Sequence, residues 1–200
     1  MSAPAAAMAT RRPEIPAPFV SNTQLAMAAV IVAEVMMFAG LVGAYLLFRL
    51  QAAVWPPAGM PRLPLGITAV NTVVLVASVP AIRGALHAAR AGDREGAARG
   101  AALAAVLGSL FVLIQGVEWL RLVSHGLSLG SGVYGGSFYV LIGCHALHVL
   151  VAIAFLLVVA ALVRRGGVDS RRQTPLEMCT TYWYFVVGLW LVLFPLVYLY

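Results

Sequence analysis

Five long apolar runs, parted by short stretches that hold most of the charge, set the terms on which this chain can fold. They cover roughly Gln24 to Leu50, Leu65 to Ala89, Ala97 to Ser124, Tyr134 to Val163 and Glu177 to Tyr200. Hydrocarbon is about 30 Å thick and a helix rises about 1.5 Å per residue, so about 20 apolar residues suffice to cross it. In lipid every backbone N–H and C=O needs a partner within the protein, which makes helices the expected form for runs of this length. With 62% hydrophobic and 10% charged residues and a mean hydropathy of +0.94, the 200-residue chain lies outside the range of soluble domains. The expected fold is an all-α integral membrane bundle of five transmembrane helices over residues 21–200, preceded by a flexible Ala- and Pro-rich tail over residues 1–20. The first run begins too far in, and lacks the small-residue cleavage pattern, to be read as a signal peptide.

The net charge of +6 raises the question of nucleic acid, but the arginines fall in the gaps between apolar runs and form no basic stripe. They act as topology signals. Basic residues are retained on the cytoplasmic side, so a cytoplasmic amino terminus places Arg11, Arg12, Arg83, Arg90, Arg94, Arg99, Arg164, Arg165, Arg171 and Arg172 inside. Arg49, Arg62 and Arg121 then fall outside, with the carboxyl terminus. Cys144 and Cys179 form no CxxC pair and fall toward opposite sides of the membrane in the expected topology, so they read as small apolar fillers. Gly40 with Ala44, Ala104 with Gly108, and Gly132, Gly135 and Gly136 are candidates for close helix packing.

Polar residues at membrane depth are costly, so they carry the information. Glu34 in the first run, Asn71 and Thr72 in the second, Gln115 and Glu118 in the third, and His145 and His148 in the fourth account for most of them. Counting residues inward puts Glu34 and His148 at similar depth, while His145 and His148 share one helical face. Three readings follow. A haem or metal site would need more ligands than "CHALH" and Glu34 or Glu118 supply, since two histidines of one helix face cannot take opposite axial positions. A proton or ion relay would need polar steps through the whole depth. The third reading has Glu34 protonated or hydrogen-bonded to a histidine, tying helices together. It is the one the residues favour.

In order and spacing, "AEVMMFAGLVGAYLLFR", "WPPAGMPRLPLGITAVNTVVLVAS", "LIQGVEWL", "GVYGGSFYVLIGCHALHVLVA" and "YWYFVVGLWLVLFPLVYLY" resemble subunit III of haem-copper terminal oxidases, the cytochrome c oxidase group, in its five-helix form. The similarity covers about Gln24 to Tyr200, loops included. It implies a non-catalytic subunit with no catalytic, cofactor or metal residue of its own, with haems and copper on partner subunits. The implied partners are subunit I in direct contact, subunit II and other oxidase chains, and bound phospholipid, in a bacterial cytoplasmic membrane. The implied role is to stabilise subunit I and to sustain proton uptake and turnover. Glu34 matches the embedded glutamate of that family, Glu118 the acid of its Q-x-x-E block, and His145 and His148 its histidine pair. One departure is plain: where relatives commonly read "YWHFVD" this chain reads "YWYFVV", so Tyr184 and Val187 replace a histidine and an aspartate. The alternative branch is the subunit-III-like protein associated with nitric oxide reductase, and a remote rival is a small stand-alone transporter. Independently of resemblance, four histidines, two of them toward the surfaces, are too few for a two-haem and copper centre.

Overall fold

The computed structural model describes residues 21–166 and 174–200. The tail expected over residues 1–20, and Arg11, Arg12, Arg171 and Arg172 of the topology argument, lie outside the described residues. The architecture is all-helical: α1 (Asn22–Gln51), α2 (Leu65–Arg90), α3 (Arg94–Ser124), α4 (Gly132–Arg164) and α5 (Thr174–Phe194), closed by a π-helical turn at Pro195–Leu199. All five are long and apolar enough to cross a membrane.

Local chemistry fixes the helix ends. Ser21 accepts from the Gln24 amide at 3.2 Å while the Gln24 side chain accepts from the Ser21 amide at 3.0 Å, a reciprocal cap that starts α1. Asp93 accepts from the Gly96 amide at 2.9 Å and starts α3 at Arg94, three residues before the apolar run begins. Arg94 and Glu95 therefore form a polar first turn. The fifth span runs on to Leu199, but its last turn is π-helical, because Pro195 has no N–H to continue the α-ladder. The Tyr200 amide instead donates to the Pro195 carbonyl five residues back, at 2.9 Å.

Consecutive helices run antiparallel. Arg90 at the end of α2 meets Glu177 at the start of α5, and Trp55 after α1 stands edge-on to Tyr134 at the start of α4, with centroids 4.9 Å apart. The bundle thus has an amino end, where α1 starts, and a far end, where it stops. Small residues bring α2 and α3 into backbone contact: Ala97, Ala101, Ala104 and Gly108 are buried, and a Cβ on Gly100 would lie 2.9 Å from the Ala81 carbonyl oxygen. Gly108 makes room for the Trp183 indole, which a Cβ there would meet at 2.4 Å. Gly40 was expected to pack in the same way, yet nothing lies within 4 Å of where its Cβ would be. Its face of α1 is open because α1 leans on α4 and α5 through Phe38 and Tyr45 instead.

Candidate functional site

The polar groups at membrane depth fall into a peripheral pair and an internal set of ties. Glu34, on α1, brings Oε2 within 2.9 Å of His148 Nε2 on α4, and its Oε1 accepts from the Tyr182 hydroxyl of α5 at 3.4 Å. The Glu34–His148 contact is close but bent away from hydrogen-bond alignment. His148 Nδ1 stands 2.6 Å from the Cys144 carbonyl oxygen, one turn back on α4. A carbonyl only accepts, so Nδ1 carries a proton. Nε2 therefore faces the Glu34 carboxyl by proximity, within a half-buried site in an apolar span.

His145 behaves differently from its neighbour. Its ring stacks on Trp190 with centroids 5.2 Å apart and planes 24° from parallel, and Phe38 approaches it edge-on at 6.5 Å. It is buried, and neither ring nitrogen has a hydrogen-bond partner. The two histidines share a side of α4 but not a site. Among the described residues no three His, Cys, Asp or Glu side chains come together as a set that could hold a metal ion. Glu118, also buried, pairs with Arg121 at 2.8 Å on its own helix near the far end, well apart from Glu34.

The internal ties join α2, α3 and α5. Trp190 Nε1 donates to Thr72 Oγ1 at 2.9 Å, and that hydroxyl donates on to the Thr68 carbonyl at 2.8 Å. Trp183 Nε1 donates to Ser78 Oγ at 2.9 Å, and Ser78 to the Leu75 carbonyl. Asn71 reaches the Phe111 carbonyl of α3 at 3.0 Å, and Gln115 reaches the Tyr198 hydroxyl at 3.1 Å. The Thr72 and Ser78 hydroxyls thus each accept from α5 while donating to their own helix, so both of their roles are filled. Tyr182, Trp183, Trp190 and Tyr198 were not among the expected site residues. The signal for the two indoles was present: Trp183 and Trp190 are seven apart, two turns on one face, opposite Ser78 and Thr72 six apart. Of the two family departures, Val187 is buried and apolar, while Tyr184 is exposed and borders a cleft of about 530 Å³ with Gln24, Arg90, Glu177 and Thr181.

This arrangement ties helices together and leaves no described constellation of nucleophile, base and ligand. Residues 17–200 match the family model described as cytochrome c oxidase subunit III. The chain is 35% identical to cytochrome c oxidase subunit 3 of Synechocystis over 84% of its own length and 72% of the relative's. It is 34% identical to the subunit 3 of Thermostichus vulcanus, over 84% and 83% of the two lengths, and 35% identical to a probable subunit 3 of Mycobacterium leprae, over 82% and 81%. With almost the whole of its length accounted for, the chain belongs to the cytochrome c oxidase subunit III family.

Proposed function

We propose that this chain is the non-catalytic third subunit of a proton-pumping haem-copper oxygen reductase in a bacterial cytoplasmic membrane. It packs directly on subunit I, in a complex with subunit II and further chains that carry the haems and copper. It holds phospholipid and sustains proton uptake by subunit I. The family match over residues 17–200 carries the reading. Two features support it. The embedded polar groups Thr72, Ser78, Gln115 and Asn71 are engaged in helix-to-helix bonds, the pattern of a scaffold. Long stretches of α1, including Leu25, Val32, Met36 and Leu47, are left exposed and available to a neighbour. The relatives named above favour the oxidase branch over the nitric oxide reductase branch.

The proposed orientation puts the amino end in the cytoplasm. Among the described residues Arg83, Arg90, Arg94, Arg99, Arg164 and Arg165 lie toward that end, against Arg49, Arg62 and Arg121 toward the far end. The deciding experiment is purification of the tagged chain from its native membrane in mild detergent. Co-purification of a haem-bearing chain, with haem and copper assigned to the partners by mass spectrometry of the separated subunits, is the expected result. A chain isolated alone with stoichiometric haem would overturn the reading.

A further inference from the structure

Arg83 stands on the outer face of α2, inside an apolar span. It shares an exposed strip with Val73, Val76, Pro80 and Gly84, at the spacing of one helical face. The helix is 26 residues long, so with α2 centred in the bilayer Arg83 lies about 8 Å from the middle of a hydrocarbon layer whose half-thickness is about 15 Å. The neighbouring helix agrees: a Cβ on Gly100, within the apolar run of α3, would lie 2.9 Å from both the Ala81 carbonyl oxygen and the Ala85 amide nitrogen. Ala81 and Ala85 bracket Arg83, which is thus level with lipid-embedded backbone. The other described arginines lie nearer helix ends or in loops, where water reaches them, and Arg99, the next closest to its helix midpoint, has Glu95 at 3.1 Å. Among the described residues no carboxylate pairs with Arg83.

An embedded arginine turned away from its own bundle is costly unless something outside the chain pairs with it. Reaching back to the headgroups is disfavoured here by direction. Cα–Cβ bonds in a helix tilt toward its N-terminus, which for α2 is the far end, so the Arg83 side chain leaves the backbone toward the bilayer centre, away from the nearer surface. Pro80 adds an acceptor without its helical donor to the same strip, because it has no N–H to offer the Val76 carbonyl. Gly84 leaves the approach open, with nothing within 4 Å of where its Cβ would be. We infer that this strip of α2 docks a transmembrane helix of a partner subunit, which presents an Asp or Glu carboxylate to Arg83. A guanidinium and a carboxylate meeting in hydrocarbon form a charge-assisted, two-pronged pair in which each satisfies the other. Acyl chains would cover the valines and leave the cation unanswered.

The inference rests on the multi-subunit complex proposed above and adds to it the surface and the chemistry of one contact. Its test uses the whole complex, purified in mild detergent from cells in which p-benzoylphenylalanine replaces Val73. Illumination should join position 73 to a transmembrane peptide of a partner that contains Asp or Glu, identified by mass spectrometry. Arg83→Gln should lower the cross-link yield at least threefold, while Arg83→Lys should keep most of it. Arg83→Glu should abolish the cross-link, and changing the partner's acid to Arg should restore it. Gly84→Leu serves as a second arm: its side chain enters open space in this chain, so the bundle stays intact and a threefold or greater loss reads blocked approach. A cross-link to lipid alone or to a segment without an acid, or an unchanged yield in Arg83→Gln or Gly84→Leu, would overturn the inference. Cross-linking to an acid-bearing helix in a complex that holds no haem would uphold the docking surface and count against the proposed function instead.

Discussion

α1 and the α2–α5 bundle solve the same problem, attachment between helices in lipid, by different means. Within α2–α5 the contact is continuous: alanines and Gly108 of α3 meet α2 and α5 at short range, and indole–hydroxyl bonds close the gaps. Only Phe38 and Tyr45 are buried on α1. That helix is pinned at two depths, by Glu34 with His148 and Tyr182, and by the Tyr45–Trp55–Tyr134 aromatic train. Apolar burial discriminates weakly between neighbours in lipid, since acyl chains are as apolar as leucine, so a sparsely packed helix depends on its few directional contacts.

The sharpest test of this contrast is steric. Gly108→Val should destabilise the bundle by about 1–3 kcal/mol or more, since the Trp183 ring has nowhere to retreat, and a lower thermal midpoint of the purified complex would register it. A midpoint equal to wild type would mean the α3–α5 seam is looser than described. Next in size is Glu34→Leu, which strands His148 Nε2 and should cost about 1–3 kcal/mol, concentrated on α1. Hydrogen exchange should then rise in α1 while α2–α5 stay protected. Glu34→Gln keeps a hydrogen-bonding group at that position and should preserve assembly and most oxygen reduction; immediate loss of turnover would demand a proton-carrying role for the carboxyl. Trp190→Phe removes one donor to Thr72 and should cost about 1 kcal/mol, visible as a small midpoint shift. Smallest of all, Gly40→Ala should change the midpoint by less than about 0.5 kcal/mol equivalent, because its Cβ would meet nothing among the described residues. If it weakened association with the other subunits while sparing this chain, the open face of α1 would be marked as their contact.

The sequence reveals depth well and rotation poorly. Hydropathy located five spans, and residue counting put Glu34 and His148 near one plane, because rise per residue is nearly constant. Which way each side chain turns about its helix axis was not readable. His145 and His148 share a face by spacing, yet one meets a carboxyl and the other an indole. Gly40 and Gly108 look alike as small residues in apolar runs, and only Gly108 is used within the chain. α3 starts three residues before its apolar run, because hydropathy counts Arg94 and Glu95 against a helix while the Asp93 cap counts for one. Indole donors hide among apolar letters, so polarity along the sequence does not mark the Trp183 and Trp190 bonds.

The wide turn at Pro195–Leu199 has an angular consequence. At 3.6 residues per turn, eight residues carry a side chain about 80° past the face where it began. A regular helix would therefore swing Tyr198 away from the face that Trp190 presents to the core. A turn closed over five residues advances less per step, and the two rings end with centroids 6.2 Å apart, both buried. The last turn thus works as a phase correction that brings the Tyr198 hydroxyl round to Gln115 and places Tyr200 beneath Arg49.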